Sequence, residues 1–505
     1  MRNLTLLTDL YELTMMQGYF KNSEVNETVI FDAFYRNNPE GNGYSICAGL
    51  DLPARRESDA TLPGRICAGL DQVIDYIKNL HFEEEDISYL AGLGIFEADF
   101  LDYLKDFRFT GDIYAIPEGS VIFPREPLIK VVAPIMQAQL IETAVLNILN
   151  HQCLIATKAA RIVRAAKGDG VMEFGCRRAQ GPDAGIYGAR AAMIAGCVGT
   201  SNVLCGKMFD VPVSGTHAHS WIMSFPDELT AFRAYAKLYP DACILLIDTY
   251  DTLDSGLVNA ITVFKEMREA GALSKRYGIR MDSGDLAYLS KKVKAALDAE
   301  GFTDAIISAS NDLDEGLIES LKSQGATINS WGVGTNLITS KDCPAFGGVY
   351  KLAAIQDRKS GRFIPKIKIS ENAEKITNPG DKTIYRIYDS QGMIVADLIA
   401  LIDETFDPSE PLMLFDPIET WKKTLLKGGN YSMKEILVPI FKNGECIYQS
   451  PKVMEIQKFC KAELETLWEE SKRFEYPHQT YVDLSKKLWN LKNDLLEQYQ
   501  FGLQS

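Results

Sequence analysis

Short apolar runs that end in polar or glycine-rich clusters dominate the pattern from residue 169 to about 352. They read GVMEFGCRRAQGPDAG, VPVSGTHAHS, ACILLIDTYDT, GIRMDSGDL, AIISASNDLDE, SWGVGTNLITS and FGGVYKLAAI. Helical periodicity separates many of them, at 187–203, 226–238, 255–270 and 285–300. Apolar runs alternating with helices are the pattern of buried parallel strands. This many units predict a closed or nearly closed α/β barrel carrying the functional site over 169–352. In such a barrel the strand C-termini share one end, so the polar clusters are expected to converge.

The flanks have a different texture. Residues 1–20 show helical spacing, with Tyr11 among acids near the start. Residues 28–46 alternate and turn at 37–43, a hairpin signal, and 108–134 reads as short strands broken by Pro and Gly. An acidic helical stretch, 72–105, separates them, with Glu83–Asp86 as a helix start. These make an N-terminal α+β domain over 1–134. Connecting helices follow over 135–168, where His151 falls in an apolar stripe and reads as a core histidine. The rest, 353–505, is mixed β and then helical, with Leu484, Leu488, Leu491 and Leu495 on one expected helix stripe. The pentapeptide CAGLD occurs twice, at Cys47–Asp51 and Cys67–Asp71. Deleting twenty residues lets the surrounding pattern run on smoothly, so 52–71 reads as an inserted, exposed loop without chemistry.

Composition narrows the function classes. With 53 Lys and Arg against 68 Asp and Glu, the formal net charge is -15, which argues against a nucleic-acid-binding surface. No apolar stretch reaches the ~18 residues needed to span a bilayer. The ten cysteines are scattered without metal-like spacing, the usage of a reduced, cytoplasmic protein.

The chemistry concentrates in VPVSGTHAHSWIMS, 211–224, where Ser214, Gly215 and Thr216 precede two of the five histidines, His217 and His219. Hydroxyl donors, a glycine and an imidazole at one strand end make a ligand site with a nucleophile or base. Arg177 offers a planar cationic fork for phosphate or carboxylate, and Arg280 is placed to pair a carboxylate. Asp282 and Ser283 can hold sugar hydroxyls or a magnesium-bound diphosphate. Gly334 and Thr335 can present backbone N–H groups and a hydroxyl to phosphate. Neither a phosphate-binding G-x-x-x-x-G-K-[ST] loop nor a dinucleotide fingerprint is present. Two other classes compete. A metal-dependent barrel hydrolase would use His217 and His219 as ligands, although His478 is the only later histidine. A nonenzymatic phosphate-ligand sensor would leave the nucleophile idle.

Taken together, TDLYELTM (8–15), EFGCRRAQGPDAG (173–185), SGTHAHS (214–220), RMDSGDL (280–286), SNDLDE (310–315) and GVGTNL (332–337) closely resemble the nicotinate phosphoribosyltransferase family. The resemblance implies an irregular TIM-like (β/α) barrel of the type II phosphoribosyltransferase kind, with a second α+β domain and C-terminal helices. It implies condensation of nicotinate with phosphoribosyl diphosphate to nicotinate mononucleotide and diphosphate, in NAD salvage. ATP is then a co-substrate, Mg²⁺ a cofactor with unknown ligands, and His219 the histidine that ATP phosphorylates, with His217 a bystander. By the same resemblance Thr216 and Arg280 contact nicotinate, and Tyr11 stacks on the pyridine ring from a neighbouring subunit of a homodimer with shared active sites. Arg177 and Asp282 line the ribosyl-phosphate site, and Gly334 and Thr335 hold the ribose phosphate.

Overall fold

The computed structural model describes residues 3–22, 27–39, 42–48 and 70–501. Of the expected 52–71 loop, only Leu70 and Asp71 fall within this range, at the start of the Leu70–Lys78 helix; 52–69 lie outside the described residues. The chain divides into two compact units, Met1–Leu154 with Ala345–Ser505, and Ile155–Pro344.

The first unit is built on two large sheets and a two-stranded one. One has seven antiparallel strands, in the order Phe363–Pro365, Gly348–Gln356, Thr28–Tyr35, Ile129–Pro134, Asp112–Ala115, Val438–Lys442 and Glu445–Cys446. An inner strand, TVIFDAFY, is buried on both faces, so apolar residues fill successive positions rather than alternate ones. Phe31 stacks on Tyr350 of the neighbouring strand with ring centroids 4.7 Å apart. The expected 28–46 hairpin does not form: Thr28–Tyr35 pairs with Gly348–Gln356 and Ile129–Pro134, and Ser45–Ile46 pairs with Val121–Ile122. Long-range partners outcompete the local turn. The FGGVYKLAAI run likewise joins this antiparallel sheet rather than the parallel set.

The second sheet has six strands around Ile394–Leu401, which pairs antiparallel with Lys382–Asp389 and parallel with Tyr481–Leu484. Leu484 therefore sits in a strand. Only Leu488, Leu491 and Leu495 belong to the helix Lys486–Phe501, so the four-leucine stripe is split by the break at Ser485. No helix of the described residues is long and apolar enough to cross a membrane.

The second unit is a mixed α/β structure around one parallel sheet of six strands. Their order is Gly199–Thr200, Gly170–Glu173, Ser330–Val333, Ile306–Ala309, Tyr277–Met281 and Cys243–Leu246. Helices connect the strands, including Pro182–Ile194, Glu228–Leu238, Leu257–Glu269, Leu286–Ala299 and Glu315–Ser323. The sheet curls as a half-barrel, and its edge strands do not pair with each other. The barrel expected over 169–352 is thus met in part, as a curled parallel sheet that does not close through its edge strands. The periodicity at 187–203 is interrupted too: the helix ends at Ile194, Gly196 adopts a φ of +113°, and a two-residue strand follows.

Close packing of the parallel strands is enforced at Gly278. A Cβ there would lie 2.0 Å from the Ile306 carbonyl oxygen of the adjacent strand, well inside van der Waals contact. Gly278→Ala is expected to destabilise the fold by about 3 kcal/mol, the upper range of overpacking. Urea unfolding followed by circular dichroism checks this; an unchanged midpoint would contradict it.

Candidate functional site

The C-terminal ends of the parallel strands surround a cleft of about 1350 Å³, open mouth included. Phe174, Arg177 and Arg178 reach it beyond Gly170–Glu173, and Ser201 beyond Gly199–Thr200. Gly215, Thr216, His217, Ala218 and His219 form one wall. Arg280 and Asp282 come from Tyr277–Met281 and its end, Ser310, Asn311 and Asp312 follow Ile306–Ala309, and Gly332, Gly334 and Thr335 close the ring. Seven of the nine sequence-derived candidates thus line one cavity or its wall: Arg177, Thr216, His219, Arg280, Asp282, Gly334 and Thr335. Ser283 follows Asp282 and donates to Asp248, but is not among the lining residues. Tyr11 belongs to the first unit, on the helix Leu10–Lys21, about half exposed, and is not among the lining residues.

Beneath the first strand end, Glu173 is fully buried. It accepts from the Gly175 backbone N–H and, at 2.6 Å, from the Thr200 hydroxyl. Burial raises its carboxyl pKa. One carboxyl group therefore ties the turn carrying Arg177 to the strand carrying Ser201. Gly175 permits this turn, since a Cβ there would come within 2.5 Å of Ile338.

The VPV run does not extend the sheet as a full strand. It makes one parallel bridge, Thr200 to Val213, with the Ser214 N–H donating to the Thr200 carbonyl at 2.9 Å. At the opposite edge strand the Leu246 N–H donates to His217 Nε2 at 3.3 Å. The segment 213–217 thus spans from one edge of the half-barrel to the other, and an imidazole replaces a ladder bond. This use of Nε2 removes His217 from any metal-ligating pair with His219.

His217 is 7% exposed and packs edge-on against Tyr235; burial pushes its pKa down to about 4. A histidine held neutral in the fold but ordinary when unfolded binds a proton first in the unfolded chain. Its contribution is complete above about pH 6.5 and is lost as pH falls toward about 4, on the order of 3 kcal/mol in full. His217→Gln is expected to flatten the acid side of the stability-versus-pH curve. Equal pH dependence in urea titrations of both proteins would contradict that.

His219 begins the short helix His219–Met223, with its side chain 40% exposed. Its Nε2 lies 3.3 Å from Asp248 Oδ1. Asp248 is nearly buried, 2% exposed, and its Oδ2 accepts from the Asp282 N–H at 2.8 Å and the Ser283 hydroxyl at 2.7 Å. One carboxylate therefore fixes both the imidazole and the Asp282–Ser283 turn. Asp248 escaped the sequence reading, although ACILLIDTYDT ends its apolar run on an acid just as GIRMDSGDL does. The parallel between Asp248 and Asp282 was the available signal. Ser310, whose hydroxyl donates to Asp282 Oδ1, was missed as well.

Arg280 is 15% exposed. Its Nη1 donates to the Thr216 hydroxyl, and Nη2 lies 3.9 Å from Asp282 Oδ1. Its Nε is buried without a hydrogen-bond partner among the described residues. Burial draws its pKa down, opposed by Asp282 and Asp248. A buried guanidinium with donors to spare, facing a cleft, is suited to a ligand carboxylate. The cleft pairs that fork with Arg177, Arg178 and the backbone of Gly334–Thr335, which are suited to phosphate.

Comparison with known proteins follows the same lines. The nicotinate phosphoribosyltransferase N-terminal domain model matches residues 6–53 and 53–150, the family model 170–382, and the C-terminal domain model 381–492. The nicotinate phosphoribosyltransferase of Bacillus subtilis (strain 168) is 45% identical over 97% of this chain and 94% of its own. That of Caenorhabditis elegans is 34% identical over 97% and 93%. The crystal structure of human nicotinic acid phosphoribosyltransferase superposes with a TM-score of 0.79 at 27% identity, covering 97% of this chain and 99% of the human one. With family models spanning most of its length and close relatives covering nearly all of it, the chain belongs to the nicotinate phosphoribosyltransferase family.

Proposed function

We propose that the cleft of the second unit condenses nicotinate with phosphoribosyl diphosphate, giving nicotinate mononucleotide for NAD salvage, and that ATP hydrolysis drives the reaction through His219. The observation that carries this reading is Arg280, a buried cation with unused donors, held by Thr216 in the same cleft as phosphate-suited groups.

In this reading the nicotinate carboxylate meets Arg280 and Thr216, which aim the pyridine nitrogen at C1′ of the ribose. The nitrogen lone pair forms the new N–C1′ bond as the C1′–O bond breaks, and diphosphate leaves with that electron pair. No proton need be moved on nicotinate, which accounts for a site of Arg, Asp, Gly and hydroxyl groups. Its work is positioning and charge stabilisation. Arg177 and Asp282 face the ribosyl phosphate, and Gly334 with Thr335 holds the 5′-phosphate. Ser283 supports Asp282 through Asp248.

Magnesium fits this donor set as an ion that arrives with diphosphate. Mg²⁺ is commonly held by one or two carboxylates together with substrate phosphates, and the cleft offers Asp282 and Asp312. Among the described residues no cluster of three or more His, Cys, Asp or Glu has metal-binding geometry. Bound there, the ion would supply charge neutralisation at the leaving diphosphate.

Asp248 receives His219 Nε2, which leaves Nδ1 as the nucleophile for the γ-phosphoryl group of ATP. That step releases ADP, and water later removes the phosphoryl group as orthophosphate. A phosphohistidine adds negative charge and acceptor oxygens beside the diphosphate site, so ATP acts by coupling rather than on nicotinate. Tyr11 completes the reading as a ring presented to the cleft of a second copy in a homodimer, supported by its exposure on Leu10–Lys21. The half-barrel is read as an incomplete TIM-like barrel, and a cytoplasmic setting supplies ATP. Nicotinate mononucleotide and ADP, measured together with Mg²⁺ and ATP for the wild type and His219→Ala, test the coupling. Nucleotide made by both proteins with equal ADP release would overturn the role of His219.

A further inference from the structure

A second cavity, wholly within the first unit, is lined by cations that the transfer reaction does not use. It measures about 440 Å³ with its open mouth, its enclosed part being far smaller than that of the substrate cleft, and Arg125, Lys492, Lys382, Asp32, Glu374 and Asn378 are among its walls. Lys382 is spoken for: its Nζ contacts Asp32 Oδ2 at 2.8 Å and donates to the Gly380 carbonyl at 2.7 Å. Arg125 and Lys492 are not.

Arg125 is half-buried in a turn with a φ of +74°, a conformation that costs a non-glycine residue energy and recurs at ligand clamps. Its guanidinium makes no hydrogen bond or ion pair among the described residues, and its Nε is buried. Lys492 is 6% exposed on the helix Lys486–Phe501. Its Nζ donates to Asn378 Oδ1 and to the Pro417 carbonyl, both at 3.0 Å, both neutral, leaving one of three N–H donors over. Burial and the facing Arg125 guanidinium draw its pKa down to about 8. Two cations share one small cavity, and no described carboxylate hydrogen-bonds to either. Glu374 and Asp416 act on Arg125, and Asp416 on Lys492, only through longer-range attraction. Buried cations whose nearest acids stay beyond hydrogen-bond reach are costly, and an oxyanion in direct contact would satisfy both.

We infer that this cavity is an oxyanion site, gripped by the Arg125 fork and the spare Lys492 donor. It is separate from the cleft on the parallel sheet. Free orthophosphate and the terminal phosphate of a larger molecule share this chemistry, and the small enclosed part of the cavity favours the former.

Hydrogen exchange of the full-length chain, with and without orthophosphate, locates binding independently of the substrate cleft. The expected result is slowed exchange in 372–378 and around Arg125, together with any response of 332–337. In Arg125→Gln the first response should weaken by at least about tenfold in apparent affinity while the second is kept. Should Arg125→Gln fail to fold, Lys492→Gln makes the same prediction. Glu374→Gln should tighten phosphate binding, because it removes the cavity's own acid. Replacing orthophosphate with ribose 5-phosphate separates the two sources, with protection by the free ion alone expected. No protection of 372–378 in the wild type, or protection undiminished in both cation variants, would overturn the inference.

Discussion

Arg280→Ala should lower kcat/KM for nicotinate by roughly a hundredfold, about 3 kcal/mol, the cost of leaving a partly desolvated carboxylate without its cation. The loss should fall mainly on KM for nicotinate and spare KM for phosphoribosyl diphosphate, if Arg280, which contacts Thr216, serves the nicotinate carboxylate as proposed. Preference for nicotinate over nicotinamide should shrink by a similar factor, since the two substrates differ in the group the guanidinium reads. Arg280→Lys keeps the charge but not the fork, so it should recover only part of the loss. Steady-state kinetics with both substrates check this. Undiminished selectivity in Arg280→Ala would mean that the carboxylate is bound elsewhere.

The second large effect is expected at His219. His219→Ala should cut ADP release in the presence of nicotinate and phosphoribosyl diphosphate by at least about a hundredfold, the scale of losing a covalent nucleophile. Transfer without ATP should continue. Asp248→Asn should fall between the two proteins, because the imidazole remains but loses its anionic partner at 3.3 Å. Labelling with γ-³²P ATP gives a direct readout: acid-labile, base-stable label should appear on the wild type and be absent from His219→Ala. Label retained in the variant would place the phosphorylated residue elsewhere.

How far these features could be read in advance depended on how local their physics is. The strand-end clusters were legible because each couples an apolar run to polar residues within a few positions. Cys243–Leu246 and Tyr277–Met281, each closed by an acid, are cases in point. What could not be read was pairing at a distance. Thr28–Tyr35 prefers partners far along the chain, in Ile129–Pro134 and Gly348–Gln356, to its own turn. The open seam of the half-barrel depends on an imidazole reaching a backbone N–H across 29 positions. His217 and His219 look alike in THAHS, yet one is 7% exposed and packed against Tyr235, and the other faces the cleft beside Asp248. Spacing two residues apart in an irregular segment carries no face assignment, because the 3.6- and 2-residue periods apply only to regular structure. Asp248 was hidden for a related reason: its role lies in three contacts made by elements far apart in the chain.

The central claim is that the cleft of the second unit makes nicotinate mononucleotide. The most direct test is chromatographic quantitation of that nucleotide from purified full-length protein given phosphoribosyl diphosphate, Mg²⁺ and either nicotinate or nicotinamide, with and without ATP. The expected products are nicotinate mononucleotide with one diphosphate released for each, a rate or affinity gain on adding ATP, and little nucleotide from nicotinamide. Equal turnover of the two pyridines, or no nucleotide from nicotinate under any of these conditions, would contradict it.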